Sequence, residues 1–109
     1  MNPEIIHDAV NRRFLCVVDA LESYLTYEIC DGDVLDFDHT YTPPALRGRG
    51  IAQALVQAGF DYAKANGFRV IPSCSYVHTW SLRHPEVTPL LFDKNGDGSY
   101  NIRCRIDRK

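Results

Sequence analysis

No run of apolar residues in this 109-residue chain approaches the roughly 18 that a membrane span requires, and Met1-Asn2-Pro3-Glu4 does not open a basic leader. Basic residues are not in excess either. Twelve lysines and arginines stand against 14 aspartates and glutamates, a formal net charge of −2. The chain has no global attraction to nucleic acid or acidic membranes, so any anion it binds must be held by a local device. No C-x-x-C pair occurs among Cys16, Cys30, Cys74 and Cys104, and none has a close histidine partner. That excludes the common zinc patterns and speaks against a disulfide framework, so most of the four are expected to be plain buried thiols. Internal repeats and low-complexity linkers are missing as well. With 45% apolar and 24% charged residues, the expectation is one ordinary globular domain, cytoplasmic, without a metal, and monomeric or weakly dimeric.

What is present reads first as strands. Residues 13–18 and 20–30 are rich in β-formers, with Leu21, Tyr24, Leu25, Tyr27 and Ile29 available for a core, and Asp31-Gly32 is a hairpin signal. Residues 34–42 alternate, with Leu35, Phe37, His39 and Tyr41 on one face and Asp36, Asp38, Thr40 and Thr42 on the other. Pro43-Pro44 ends the pairing, because proline offers no N–H to a ladder. A helix is predicted over 50–66, its apolar stripe formed by Ile51, Ala52, Leu55, Val56, Gly59, Tyr62 and Ala63, with Asn66-Gly67 as its C-cap. Residues 68–72 form a short apolar strand, expected to lie parallel to the strand before the helix. A short helix follows from about 75 to 83, stopped by His84-Pro85. The tail, 93–109, reads as a turn and a last strand. The fold class is α+β: a mixed, mostly antiparallel sheet with one long helix after the fourth strand and a short helix after the fifth.

The segment Arg47-Gly48-Arg49-Gly50-Ile51-Ala52 lies between a strand and the long helix. A helix N-terminus exposes unpaired N–H groups and the positive end of a dipole. Glycines ahead of it allow close backbone approach to an anion, and arginines add bidentate charge. It lacks the G-K-[ST] ending of a nucleoside-triphosphate loop and the third glycine of the dinucleotide fingerprint. On its own the segment is either a phosphate cradle or a solvated loop.

Its pattern Arg47-x-x-Gly50-x-Ala52 resembles the pyrophosphate-binding signature [QR]-x-x-G-x-[GA] of the GNAT superfamily of acetyl-CoA-dependent N-acetyltransferases. Asp38-His39-Thr40 and Pro72-Ser73-Cys74-Ser75 resemble, with that loop, a small single-domain branch carrying a P-x-C-S motif, over about residues 13–90. The resemblance implies that backbone N–H groups from Arg47 to Ala52, namely Arg47, Gly48, Arg49, Gly50, Ile51 and Ala52, hold the pyrophosphate of coenzyme A. It implies that the fourth and fifth strands splay apart around the pantetheine arm, beside Tyr41, Thr42, Pro43 and Ser75. Acetyl-CoA is then the cosubstrate and an amine, on a protein or a small molecule, the acceptor.

Two residues are candidates for the chemistry. Cys74 closes the fifth strand where the thioester would lie; its thiolate could take the acetyl group, or the residue could line the channel while the amine attacks directly. His39 could act as general base, since histidine titrates near neutral pH, or could be structural, with Asp36 and Asp38 as competitors. A β-bulge in this strand would decide which way His39 faces. The tyrosine that many superfamily members use to protonate the leaving thiolate has no evident counterpart, because Trp80 and Ser81 occupy that region; Tyr76 is the substitute at hand. No helical segment follows the first strand, which implies an open acceptor site. Asp93-Lys94-Asn95-Gly96-Asp97-Gly98 matches half of a calcium loop, but Cys104 stands where the loop needs glutamate, so a turn is expected. The competing functions are a coenzyme-A-binding module without catalysis and a small interaction scaffold.

Overall fold

The computed structural model describes residues 4–30 and 33–91. The Asp31-Gly32 turn and the 93–109 tail with its half calcium loop lie outside the described residues.

Five strands form one sheet in sequence order: β1 (Ile6–Asp8), β2 (Arg13–Val18), β3 (Leu21–Cys30), β4 (Val34–Tyr41) and β5 (Arg69–Ile71). The first four are antiparallel neighbours, and β5 lies parallel to β4 through the pairs Val34–Arg69, Leu35–Val70 and Asp36–Ile71. The long helix α1 (Ile51–Asn66) connects β4 to β5, and the short helix α2 (Ser75–Leu82) follows. This is the mixed, mostly antiparallel α+β architecture read from the sequence. No helix among the described residues is long and apolar enough to cross a membrane. Two features were not foreseen. The strand β1 precedes the expected first strand, tied to β2 by Arg13 Nε donating to Asp8 Oδ2 at 3.1 Å. A 3-10 turn, Pro85–Leu90, follows α2 and buries Val87.

The core forms where α1 crosses the sheet. The helix buries Ile51, Leu55, Val56, Gly59, Phe60 and Ala63, a spacing of three and four that keeps them on one face. Phe60 belongs to this stripe, whereas Ala52 and Tyr62 lie at its half-buried margin. Opposite them, β3 contributes Leu25 and Tyr27, and β4 contributes Leu35 and Phe37. The expected β3 core shrinks accordingly. Leu21 and Ile29 are 37% and 41% exposed because they lie toward the strand ends, and half-buried Tyr24 falls on the other parity. Gly59 allows the helix to approach closely, since a Cβ there would sit 2.9 Å from Phe37 Cζ and 3.1 Å from Leu25 Cδ2.

The alternation of β4 breaks at one point. Tyr27 pairs with Phe37 and Thr26 with His39, so Asp38 is an extra residue, a β-bulge. Thr26 Oγ1 donates to Asp38 Oδ1 at 2.6 Å beside it. Ahead of the bulge Leu35 and Phe37 face α1. Past it, Thr40 pairs with Leu25 and shares its face, while His39 and Tyr41 pair with Thr26 and Tyr24 on the other. His39 is therefore exposed, off the core face that simple alternation gives it.

The cysteine expectation needs one correction. Cys16 and Cys74 are free, but Cys30 is disulfide-bonded, a pairing that the spacing of cysteines along a sequence does not reveal.

Candidate active site

Pairing between β4 and β5 covers only three residues, whereas β4 continues to Tyr41. One further hydrogen bond, from Cys74 N–H to Phe37 O at 2.9 Å, holds the chain as it leaves β5. β5 itself ends at Ile71, so the rest of β4 runs on without a β5 partner. The proline pair then ends β4: Pro43 is buried, and Pro44–Leu46 forms a 3-10 turn anchored by buried Leu46.

The glycine–arginine segment follows, with its backbone turned by two left-handed glycines, Gly48 at φ 84° and Gly50 at φ 77°. Only glycine takes such angles without strain. Gly50 is the N-cap of α1, and no side chain caps the first N–H groups of the helix. A Cβ placed on Gly48 or Gly50 would meet nothing within 4 Å, so open space lies over both. Arg47 Nε donates to Thr42 O at 3.1 Å, which fixes the guanidinium root to the end of the sheet.

These elements enclose a cavity of about 440 Å³. Its wall contains Tyr41, Thr42, Arg47, Gly48, Gly50, Ile51 and Ala52 from the residues read as cofactor contacts. It also contains three that sequence reasoning missed, Thr40, Leu46 and Gln53, and, from α2, Tyr76, named above only as a substitute acid. Thr40 was hidden by the bulge, and Gln53 by its place on the polar side of the helix pattern. Pro43, Arg49 and Ser75, also read as cofactor contacts, are not part of this wall. The Thr42 hydroxyl is buried without a hydrogen-bond partner among the described residues. A buried, unsatisfied hydroxyl beside two open glycines and an uncapped helix end is a fitting environment for a polar, anionic ligand.

Cys74 is half-buried and sits at the N-cap of α2, directly ahead of exposed Ser75. Its Sγ lies 3.4 Å from Thr40 Oγ1. The first N–H groups of α2 point back toward this end. His39 is not beside it. The bulge turns His39 to the opposite face of β4, where its ring lies 6.3 Å from that of Tyr24, and Tyr24 in turn contacts Tyr41 at 5.5 Å. Asp36 is fully buried in the middle of the sheet and out of reach of an incoming amine. In the region of the missing acid, Trp80 stacks on Phe60 at 5.3 Å, and Ser81 Oγ donates to His78 O at 2.7 Å. Both are engaged in packing. The Tyr76 phenol faces the cavity instead, its pKa raised by desolvation, so it stays protonated at neutral pH.

The family model for GCN5-related N-acetyl-transferases matches residues 13–90. The chain belongs to that family. Within it, Protein NATD1 of Bos taurus is 31% identical over 81 residues, covering 72% of both chains. Protein NATD1 of Homo sapiens is 30% identical over the same length, again 72% of both chains. An NMR structure of a GCN5-like protein from Staphylococcus aureus superimposes with a TM-score of 0.67 at 24% identity, covering 87% of this chain and 93% of that one. This GCN5-related chain thus shares the fold of that structure, and the loop and the end of β4 described above both fall within the family match.

Proposed function

We propose that the protein transfers the acetyl group of acetyl-CoA to an amine. The observation that carries this reading is a cavity that runs from the end of β4 to the glycine–arginine segment at the start of α1. Backbone N–H groups from Arg47 to Ala52, with the Arg47 and Arg49 guanidinium groups, bind the diphosphate, so a net-acidic chain holds a strongly anionic cosubstrate. Tyr41 and Thr42 line the path of the pantetheine arm along the unpaired edge of β4, and the Thr42 hydroxyl gains its missing partner there.

The amine approaches from the open face of the sheet, where His39 is exposed and can accept its proton. The new C–N bond forms at the acetyl carbonyl carbon as the C–S bond to coenzyme A breaks. The leaving thiolate takes its proton from the Tyr76 phenol or from water. Cys74 offers a two-step route: its thiolate takes the acetyl group, releasing coenzyme A, and the amine then attacks the acetyl-cysteine. Its place at the helix N-cap, within reach of Thr40, supports that route.

A second reading, a coenzyme-A-binding module without turnover, is favoured by the packing roles of Trp80 and Ser81 where the usual acid would stand. Calorimetric titration with acetyl-CoA, followed by an acetyl-transfer screen over peptides and small amines, separates the readings. Saturable binding that Arg47→Glu with Arg49→Glu weakens at least tenfold, together with turnover, is expected. Binding without turnover selects the module. No binding by the native chain removes both.

A further inference from the structure

A second cavity, about 240 Å³, lies in the groove between the first turn of α1 and the outer side of α2. It is walled by Gln53, Tyr76, Thr79, Trp80, Arg83 and His84. Gln53 and Tyr76 also line the first cavity, so the two spaces adjoin across them.

The chemistry of this wall is one-sided. It offers an amide, two hydroxyls, an indole, an imidazole and a guanidinium, and no carboxylate among the described residues. The Trp80 ring, 5% exposed, is held between Phe60 and His84, whose ring stacks on it at 3.8 Å and 12°. His84 Nδ1 donates to Trp80 O at 2.8 Å, which fixes the imidazole and leaves Nε2 as its other polar atom. The indole N–H is buried with no acceptor among the described residues. Arg83 is exposed, and the ion pairs among the described residues use Arg12 and Arg13. Arg47, Arg49 and Arg83 enter none of them. Arg47 and Arg83, which have no carboxylate partner among the described residues, thus border a pair of adjoining cavities in a chain of net charge −2. Surface arginines that serve only solubility in an acidic protein readily pair with neighbouring acids, whereas these remain available to a ligand.

We propose that the α1–α2 groove is a second anion subsite that binds the 3′-phosphate of coenzyme A, with Arg83 as its principal charge and Gln53 and Thr79 as hydrogen-bond donors. The inference rests on the coenzyme A reading above. Coenzyme A carries a diphosphate and, on the ribose, a separate phosphomonoester. The first cavity accounts for the diphosphate, and the adjoining groove supplies what a second phosphate needs: a planar bidentate cation, neutral donors and no competing acid. The site makes the protein discriminate coenzyme A from the same molecule lacking that phosphate.

The test is calorimetric titration of the native chain, Arg83→Gln and Arg47→Gln with coenzyme A and with dephospho-coenzyme A. Because Arg83 is exposed, the Arg83→Gln variant should keep the native melting temperature; Thr79→Val serves as a second, neutral probe of the same wall. The native chain should bind coenzyme A about tenfold more tightly than the dephospho form, the scale of a lost charge-assisted contact. Arg83→Gln should weaken coenzyme A about tenfold and leave dephospho-coenzyme A within twofold, while Arg47→Gln should weaken both. Equal affinity of the native chain for the two ligands, or equal losses for both in Arg83→Gln, would overturn the subsite and leave the coenzyme A reading standing. Failure of the native chain to bind either ligand would overturn both.

Discussion

Replacing Gly59 with alanine adds one methyl group at the point where α1 rests on the sheet. In isolation the change favours the helix, by about 1 kcal/mol of backbone propensity. The methyl carbon, however, would stand 2.9 and 3.0 Å from two ring carbons of Phe37 and 3.1 Å from Leu25 Cδ2. Neither neighbour can yield cheaply. Phe37 and Leu25 are both 0% exposed, and the Phe37 ring sits edge-on to Phe60 at 5.5 Å and beside Tyr27 at 6.4 Å. Overpacking of this kind costs roughly 1–3 kcal/mol, so the net effect should be destabilisation of about 1 kcal/mol, a fall in Tm of roughly 4–8 °C. Phe37→Leu removes the offending ring edge, so the double variant should be less destabilised than the two single changes added together, by at least about 0.5 kcal/mol. Thermal melts and urea titrations of the four proteins measure this. Any displacement of α1 also moves Gly50 and the first-turn N–H groups relative to β4, so acetyl-CoA affinity should fall in Gly59→Ala and partly recover in the double variant. A rise in Tm for Gly59→Ala, or strict additivity in the cycle, would refute the close-packing argument.

Gly50→Ala meets no steric obstacle, yet it must hold φ 77°, which should cost roughly 1 kcal/mol in a melt and loosen the helix start that binds acetyl-CoA. His7 stacks on Phe14 at 4.5 Å, contacts Tyr62 and lies with Nε2 2.6 Å from Tyr27 Oη; burial lowers its pKa, outweighing the attraction of Asp8. The unfolded chain binds that proton more readily, so the stability it contributes is present above about pH 6.5 and is lost as pH falls through the lower folded value; His7→Phe should flatten urea stability across that window. Alkylation of the native protein followed by peptide mapping should modify half-buried Cys74 and spare Cys16, 1% exposed, with acetyl-CoA slowing the reaction at Cys74. Equal labelling of the two thiols would count against the placement of Cys74 at the cavity margin. Ala20 lies at φ 66° in the two-residue turn between β2 and β3, so Ala20→Gly should raise stability, by up to about 1 kcal/mol in a melt.

Much of this was legible in the residues, and the reasons differ by element. The α1 helix announces itself through its period and its Asn66-Gly67 end; Gly67 does cap it, at φ 74°. The prolines at 43 and 44 mark the end of β4, and α2 begins at Ser75 as its pattern suggests. The turn Asp19-Ala20 was invisible because alanine seldom accepts a left-handed backbone, and tertiary pairing overrides that preference here. Strand β1 is three residues long and exists only through its pairing with β2, so no local pattern signals it. The contact of Thr40 with Cys74 depends on the bulge at Asp38, and the second cavity on two helices meeting side by side. Both are properties of assembly, not of spacing.

The bulge at Asp38 amounts to a phase slip in a two-letter code. Residues 34–37 are read in one frame and residues 39–41 in the other. A chain that lost or gained a single residue there would keep every hydrophobic and polar side chain it had, yet present Tyr41 and His39 where Thr40 now stands. Comparisons scored residue by residue would judge such a chain nearly identical. Its strand would nonetheless be turned inside out at the mouth of the cavity, with the hydroxyl that meets Cys74 exchanged for an aromatic ring.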